Sequence, residues 1–274
     1  MLRCRRFVVA LVAAVAPWLA APAALAEEVT RPEVLQIRLA WSNMFLIKSA
    51  KPVLIDGGSP KDMPAVTEAL AKEGLALSDI ALVILTHSHS DHAGMAAALQ
   101  SAGIKIALGR GDLGMAQAGR NDDLKPTNAM GRLLKRFAID PNFTSFAPDI
   151  IVKDSLDLTP WGIGGRAIVM PGHTPGSMVI ILDDGRAFVG DMILGGYLGG
   201  AVFPDHAGEH YFQADRDANR RNIGTLLDWN VRTFYLGHGG PVTRESVRQA
   251  FGASGGAGAA LRGRGEAAAE IAKP

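Results

Sequence analysis

An apolar run, Ile80-Ala81-Leu82-Val83-Ile84-Leu85, gives way at once to Thr86-His87-Ser88-His89-Ser90-Asp91-His92-Ala93-Gly94. Three imidazoles and a carboxylate fall on one short loop. His87 and His89 alternate as on an extended segment, so both rings can point the same way. Asp91 and His92 come where the chain turns into a helix predicted over Met95 to Gln100, and they can reach a second point nearby. One loop can thus serve two cations a few ångströms apart. A plain polar turn between strand and helix is the other reading, and it gives no reason for four metal-ligating side chains in so little space.

Three further candidates recur in the same context. His173 lies in Met170-Pro171-Gly172-His173-Thr174-Pro175-Gly176-Ser177, Asp191 in Phe188-Val189-Gly190-Asp191, and His238 in Leu236-Gly237-His238-Gly239-Gly240. Each follows a short apolar run that reads as a strand: Ala167–Met170, Arg186–Val189 and Thr233–Leu236. Each sits among glycine or proline, the composition of a tight loop at a strand end.

The motif His-x-His-x-Asp-His, followed in order by Gly-His, Gly-Asp and Gly-His, resembles the metallo-β-lactamase superfamily of hydrolases. The resemblance runs from about Val53 to about Val242. The early Val53-Leu54-Ile55-Asp56-Gly57-Gly58 is similar to the family's first signature. There Asp56 would brace a ligand histidine; an aspartate opening an Asp-Gly turn is the alternative. The resemblance implies one metal on His87, His89 and His173, a second on Asp91, His92 and His238, and Asp191 bridging them. It also implies an αββα sandwich, two mixed β-sheets flanked by helices, with the metal site at the strand ends.

Three neutral imidazoles leave a tetrahedral position open for water, as in a catalytic zinc site. With two divalent ions, two carboxylates and a bridging hydroxide, the cluster keeps about one net positive charge, suited to a forming oxyanion. A zinc-bound water has a pKa on the order of 7. Asp91 is the catalytic candidate, able both to ligate and to orient the hydroxide. Two divalent metal ions are expected. Zinc suits the donors, and so do iron or manganese.

Residues 1–26 read as a secretory signal peptide. Arg3, Arg5 and Arg6 form a basic start, Phe7 to Ala16 an apolar stretch too short to span a bilayer, and Ala24-Leu25-Ala26 a small-x-small cleavage site. The general secretory route fits better than the twin-arginine route that Arg5-Arg6 faintly suggests. The expected location is periplasmic or secreted, with no stable membrane anchor after leader cleavage. The single cysteine, Cys4, lies inside the leader, so the mature chain holds no disulfide. Removing the three leader arginines takes the formal charge from +1 to −2. No block of like charge remains, which argues against nucleic acid as a partner. A small-molecule substrate is expected instead; the sequence does not set the oligomeric state.

Residues 27–252 suit one hydrolase domain. Strands are predicted at Val53–Asp56, Ile80–Leu85 and Ile104–Leu108. Met178–Leu182 and Arg186–Val189 read as a hairpin across Asp183-Asp184-Gly185. Helices are predicted around Met63–Leu70, Gly94–Ser101, Ala214–Asp228 and Arg244–Phe251. Residues 110–149 have a different character. Within them Met130, Leu133, Leu134 and Phe137 form a helical stripe that should pack one face, as ordinary core cover or as a lid over the metal site. The Gly/Ala-rich tail, 253–274, is expected to fray.

The segment after Asp191 should line the rim of the cleft, with Tyr197, Phe203, His206 and His210 as substrate contacts. Tyr197 could donate to a substrate carbonyl, or simply plug a glycine-rich turn. His206 and His210 read as rim or surface histidines rather than extra ligands. One β-lactam-opening branch of the family uses a cysteine ligand that the mature chain lacks, and another lacks a bridging aspartate. Asp191 therefore favours the glyoxalase-II-like and lactonase-like esterases. The expected activity is metal-hydroxide cleavage of a lactone, ester or thioester. The alternatives are a β-lactamase, an iron-dependent sulfur dioxygenase relative and a non-catalytic metal-binding module.

Overall fold

Most strands of this chain are apolar on both faces, and the computed structural model shows why. It describes residues 31–137, 139–229 and 231–252. The expected leader and the Gly/Ala-rich tail lie outside the described residues. In order, the elements are β1 (Glu33–Arg38), β2 (Asn43–Lys48), β3 (Val53–Ile55), α1 (Met63–Lys72), β4 (Leu82–Ile84), α2 (Ala96–Ser101) and β5 (Lys105–Gly109). Then come α3 (Leu113–Ala118), α4 (Ala129–Phe137), β6 (Ile150–Val152), β7 (Ser155–Asp157), β8 (Gly165–Val169), β9 (Met178–Leu182) and β10 (Arg186–Phe188). The last are β11 (Leu194–Tyr197), β12 (Val202–Gly208), α5 (Arg216–Asp228), β13 (Thr233–Tyr235), β14 (Val242–Thr243) and α6 (Arg244–Phe251).

One mixed sheet runs β1-β2-β3-β4-β5-β6 and a second runs β14-β13-β10-β9-β8-β7. Strand alternation divides their side chains into layers. Phe45, Ile47, Val53, Ile55, Leu82 and Ile84 of the first sheet meet Met178, Ile180 and Phe188 of the second. Their neighbours Leu46, Leu54 and Val83 face outward onto Val66 and Leu70 of α1 and Leu99 of α2. On the other side, Val179, Ala187 and Phe234 meet Ile223 and Leu226 of α5 and Val247 and Phe251 of α6. Sheets covered on both faces need continuous apolar strands, which is what the runs at Leu82 and Met178 supply. The result is the expected αββα sandwich of two mixed sheets flanked by helices. Asp215 caps α5 by accepting from the Ala218 amide at 2.9 Å, and Thr243 caps α6.

The hairpin of β9 and β10 forms where predicted. Several strands carried no legible signal: β1 and β2, which precede the resembling region, the short β6 and β7, and the separate hairpin of β11 and β12. In β11, Gly195 and Gly196 interrupt the apolar alternation by which a strand is read. Met130, Leu133 and Leu134 of the α4 stripe join none of the core layers. Met130 and Leu133 are 41% and 53% exposed. The segment is fastened instead by its loops: the Thr127 amide donates to the Tyr211 carbonyl at 2.9 Å, and the Gln213 amide to the Lys125 carbonyl at 3.1 Å. Among the described residues, no helix is long and apolar enough to cross a membrane.

Phe188 occupies the middle of the inter-sheet layer, with ring centroids 5.2 Å from Phe45 and 4.9 Å from Tyr235. Phe188→Ala is expected to lower stability by about 3–5 kcal/mol in denaturant titration. Val202→Ala, on the exposed β11–β12 hairpin, should change it by no more than about 0.5 kcal/mol. Equal losses at the two positions would contradict this layering.

Candidate metal centre

Strand register brings the ligand loops together. Parallel pairing of Ile55 with Ile84 sets Asp56 beside the loop that begins at Leu85. Parallel pairing of Phe188 with Tyr235 sets the Asp191 loop beside the His238 loop. His87, His173, Asp191 and His238 all follow the carboxyl ends of strands, one from the first sheet and three from the second. The glycines before the ligands answer to crowding. Gly190 has φ +51°, and a Cβ there would run into the Thr86 side chain. A Cβ on Gly237 would strike the Asp191 carboxylate and the His92 ring.

Each candidate imidazole is held from behind by an oxygen. His87 Nδ1 lies 3.1 Å from Thr86 Oγ1, and His92 Nδ1 3.0 Å from Asp56 Oδ2. His89 uses the opposite nitrogen: Nε2 is 3.2 Å from Asp122 Oδ1, which leaves Nδ1 facing inward. His173 Nδ1 lies 2.9 Å from the Phe212 carbonyl oxygen, and His238 Nδ1 2.6 Å from that of Trp41. Such partners fix the tautomer and ring orientation of metal-binding histidines. Asp56 has φ +66° and also accepts from the Thr86 amide at 2.6 Å, so it ties the loop and His92 together. Asp112 plays a similar part beneath the His173 loop, accepting from the Ser88 and Gly176 amides and from the Thr174 hydroxyl.

The inward atoms converge on Asp191. Its Oδ2 lies 3.8 Å from His87 Nε2, 3.6 Å from His173 Nε2, 3.3 Å from His238 Nε2 and 3.2 Å from His210 Nε2. Its Oδ1 is 3.4 Å from His92 Nε2. His238 Nε2 also lies 3.3 Å from Asp91 Oδ2. Burial and the imidazoles around it hold His87 well below the usual histidine range, and burial does the same to His173. Burial would lower His92 and His238 too, but the Asp191 and Asp91 carboxylates outweigh it. His92 rises well above its ordinary value and His238 to about 10. Asp191 is pulled down by the surrounding imidazoles, and Asp91 by His92 and His238, both against the effect of burial.

The donor set fits a cation. His87 Nε2, His92 Nε2 and Asp191 Oδ1 are buried without a hydrogen-bond partner, an omission worth about 1–3 kcal/mol each. Ligand atoms lie within 4.8 Å of one another in the sets His87/His89/His173, Asp91/His92/His238, His87/His92/Asp191 and His173/Asp191/His210. All seven residues expected around the metals are therefore brought together, and His210 joins them.

The expected substrate contacts divide. A cavity of about 550 Å³ opens over the centre, reaching His89, Asp91, Asp191, His210 and His238, with Trp41, Leu124, Met130, Leu134, Ile139 and Leu198 among its apolar walls. Tyr197, Phe203 and His206 are not among the lining residues and are exposed. Tyr197 is the last residue of β11 and is 62% exposed, whereas Leu198, in the turn that follows with φ +51°, reaches the cavity. His206 pairs with its neighbour Asp205 at 3.0 Å. His210, expected at the rim or surface, is buried against Asp191 instead. The sequence offers little warning of this beyond its flanking Tyr211-Phe212, and none for Asp122, whose role depends on a loop distant in the chain.

A family model described as the metallo-β-lactamase superfamily matches residues 42–238. Metallo-β-lactamase domain-containing protein 1 of Rattus norvegicus is 51% identical over 43 residues, 16% of this chain and 17% of that protein. This chain thus spans about a sixth of that relative's length. The probable metallo-hydrolase YflN of Bacillus subtilis (strain 168) is 27% identical over 217 residues, 72% of this chain and 78% of that protein. A subclass B3 metallo-β-lactamase of Bradyrhizobium japonicum superposes with a TM-score of 0.55 at 20% identity, over 76% of this chain and 75% of that one. The matched length, the sandwich and the strand-end cluster agree: this chain belongs to the metallo-β-lactamase superfamily.

Proposed function

We propose that this chain is an exported binuclear metal-dependent hydrolase that cleaves an acyl bond: a lactone, an ester or a thioester. The observation that carries the reading is Asp191, a buried carboxylate with one oxygen toward His87 and His173 and the other toward His92. A carboxylate so placed can bridge two cations, with His87, His89 and His173 holding one and Asp91, His92 and His238 the other. Divalent ions there, zinc being well suited to the donors, would acidify a bound water and polarise the scissile carbonyl. Export rests on the basic, apolar and small-residue pattern of residues 1–26.

The chain's own groups supply the rest. Asp91 is partly exposed and lines the cavity, with Oδ2 near His238. It can orient the attacking water and take up its proton. The oxygens behind each imidazole keep the ring angles fixed during turnover. The apolar walls at Trp41, Met130, Leu134 and Leu198 accept an acyl substituent and exclude water. On this reading the α4 segment serves as a lid. The charge that Asp191 adds between the cations lowers their power to stabilise an anionic nitrogen leaving group, which a lactam needs and an ester does not.

Lactones, esters or thioesters are therefore expected to be turned over at least about a hundredfold faster in kcat/KM than cephalosporins, a barrier difference of about 2.7 kcal/mol. A panel assay decides, and cephalosporins as best substrates would replace this reading with a β-lactamase. Elemental analysis after dialysis should give two metals per chain, falling toward one in His238→Ala. One metal in both proteins would remove the binuclear model.

Proton release gives a third check. With His238 raised to about 10, it carries a proton in the metal-free protein at pH 8, and His92 is driven toward the protonated form as well, whereas His87 and His173 are held toward the neutral form. Metal uptake at the Asp91/His92/His238 set must displace those protons. Its apparent affinity should rise with pH up to about 10, while His87 and His173, already held toward the neutral form, should add no such rise. Calorimetric titration at pH 8 in buffers of different ionisation enthalpy reads the release directly. Metal uptake without any proton release would contradict this division of the centre.

A further inference from the structure

The reading above uses five imidazoles, yet six converge. Of the seven histidines in the chain, only His206 stands outside the cluster. His210 is 5% exposed. Its ring lies edge-on to His173, with centroids 4.8 Å apart, and is stacked on His238 at 5.6 Å.

The way His210 is held points to its role. Each of the five expected histidine ligands has one ring nitrogen against an oxygen behind it and the other facing the centre. His210 follows the same rule and shares a partner with a neighbour. Its Nδ1 lies 3.2 Å from the Phe212 carbonyl oxygen, the atom that also sits 2.9 Å from His173 Nδ1. A carbonyl oxygen has two lone pairs and can accept from both rings. That tautomer leaves the Nε2 lone pairs of both rings free, and both Nε2 atoms face Asp191 Oδ2, at 3.2 Å for His210 and 3.6 Å for His173. The Phe212 amide also lies 3.3 Å from His210 Nδ1. In that competing tautomer Nε2 would carry the proton and hydrogen-bond to Asp191, and His210 would not bind metal.

We propose that His210 is a further nitrogen donor of the centre, binding through Nε2 on the His173 side, where His173, Asp191 and His210 converge within 4.8 Å. The proposal rests on the metal-centre reading above and goes beyond it. A cation held there by His173, Asp191 and His210, together with the His87 and His89 donors of the same side, would be nitrogen-rich and would exceed the four-coordination of an ordinary zinc site.

Cobalt(II) loading tests this without reference to catalysis. In the wild-type protein, each metal-bound imidazole that keeps its second nitrogen protonated gives one hyperfine-shifted, exchangeable N–H resonance. Six such resonances are expected. Five, with two cobalt ions bound, would overturn the proposal while leaving the binuclear reading intact. His210→Ala should lower the coordination number, seen as stronger visible d–d bands. It should also weaken one of the two cobalt sites by more than the roughly 10–100-fold that loss of an outer partner costs. His206→Ala, on the exposed hairpin, should change neither. An unaltered spectrum and unaltered affinities in folded His210→Ala would again overturn the proposal. A wild-type chain that binds no cobalt would sink both readings together.

Discussion

A carboxylate buried with one oxygen unpartnered is an expensive group to keep inside a protein, and Asp191 is such a group. Its surroundings are equally costly on their own. Imidazoles packed ring to ring cannot all carry charge, and His87 and His173 are forced neutral while His92 and His238 are driven toward the charged form. The two halves of the cluster thus balance each other through one side chain. Cations in place of those protons would satisfy every inward-facing atom at once. The loops, glycines and strand registers around the site serve to hold this concentration of polar groups in a fixed geometry.

The sandwich provides the rigidity. Both sheets are covered on their outer faces by helices and pack on each other through a layer that includes Phe45, Phe188 and Met178. The strands therefore cannot slide without exposing an apolar face. Ligands at the carboxyl ends of β4, β8, β10 and β13 inherit that stiffness. Fixed donors suit catalysis because they need no reorganisation when charge develops. On the open side lie α4 and the β11–β12 hairpin, with Met130, Leu134 and Leu198 along the cavity and Leu133, Tyr197, Val202 and Phe203 exposed outside it.

The residues that hold the ligands come from regions unlike the motifs they serve. Asp122 reaches His89 from the segment between α3 and α4. The Phe212 carbonyl supports His173 and lies against His210 from the stretch between β12 and α5. The Trp41 carbonyl supports His238 from the β1–β2 turn. The α4 segment is therefore more than a cover. Its neighbours Asn121 and Asp140 also hold Ser90, at the centre of the histidine loop. Changes there should be felt at the metal side chains as well as at the mouth.

The sequence alone determined the ligand types, their order and their placement after apolar runs. From these, the family resemblance and the two-sheet sandwich were legible. Helical spacing was enough to place α1 and α4, and the turn at Asp183-Asp184-Gly185 between two apolar runs was enough for the β9–β10 hairpin. Alternation failed at β11, where glycines erase it, and the spacing alone left open whether the α4 stripe covers a core layer or, as Met130 and Leu134 do, lines a cavity. Tertiary structure alone decided that His210 turns inward and Tyr197 outward, and which oxygens stand behind each imidazole. The physical reason is distance along the chain. His238 meets Trp41 across 197 positions and His173 meets Phe212 across 39, so these contacts exist only once the sheets have packed. No local pattern of residues encodes them.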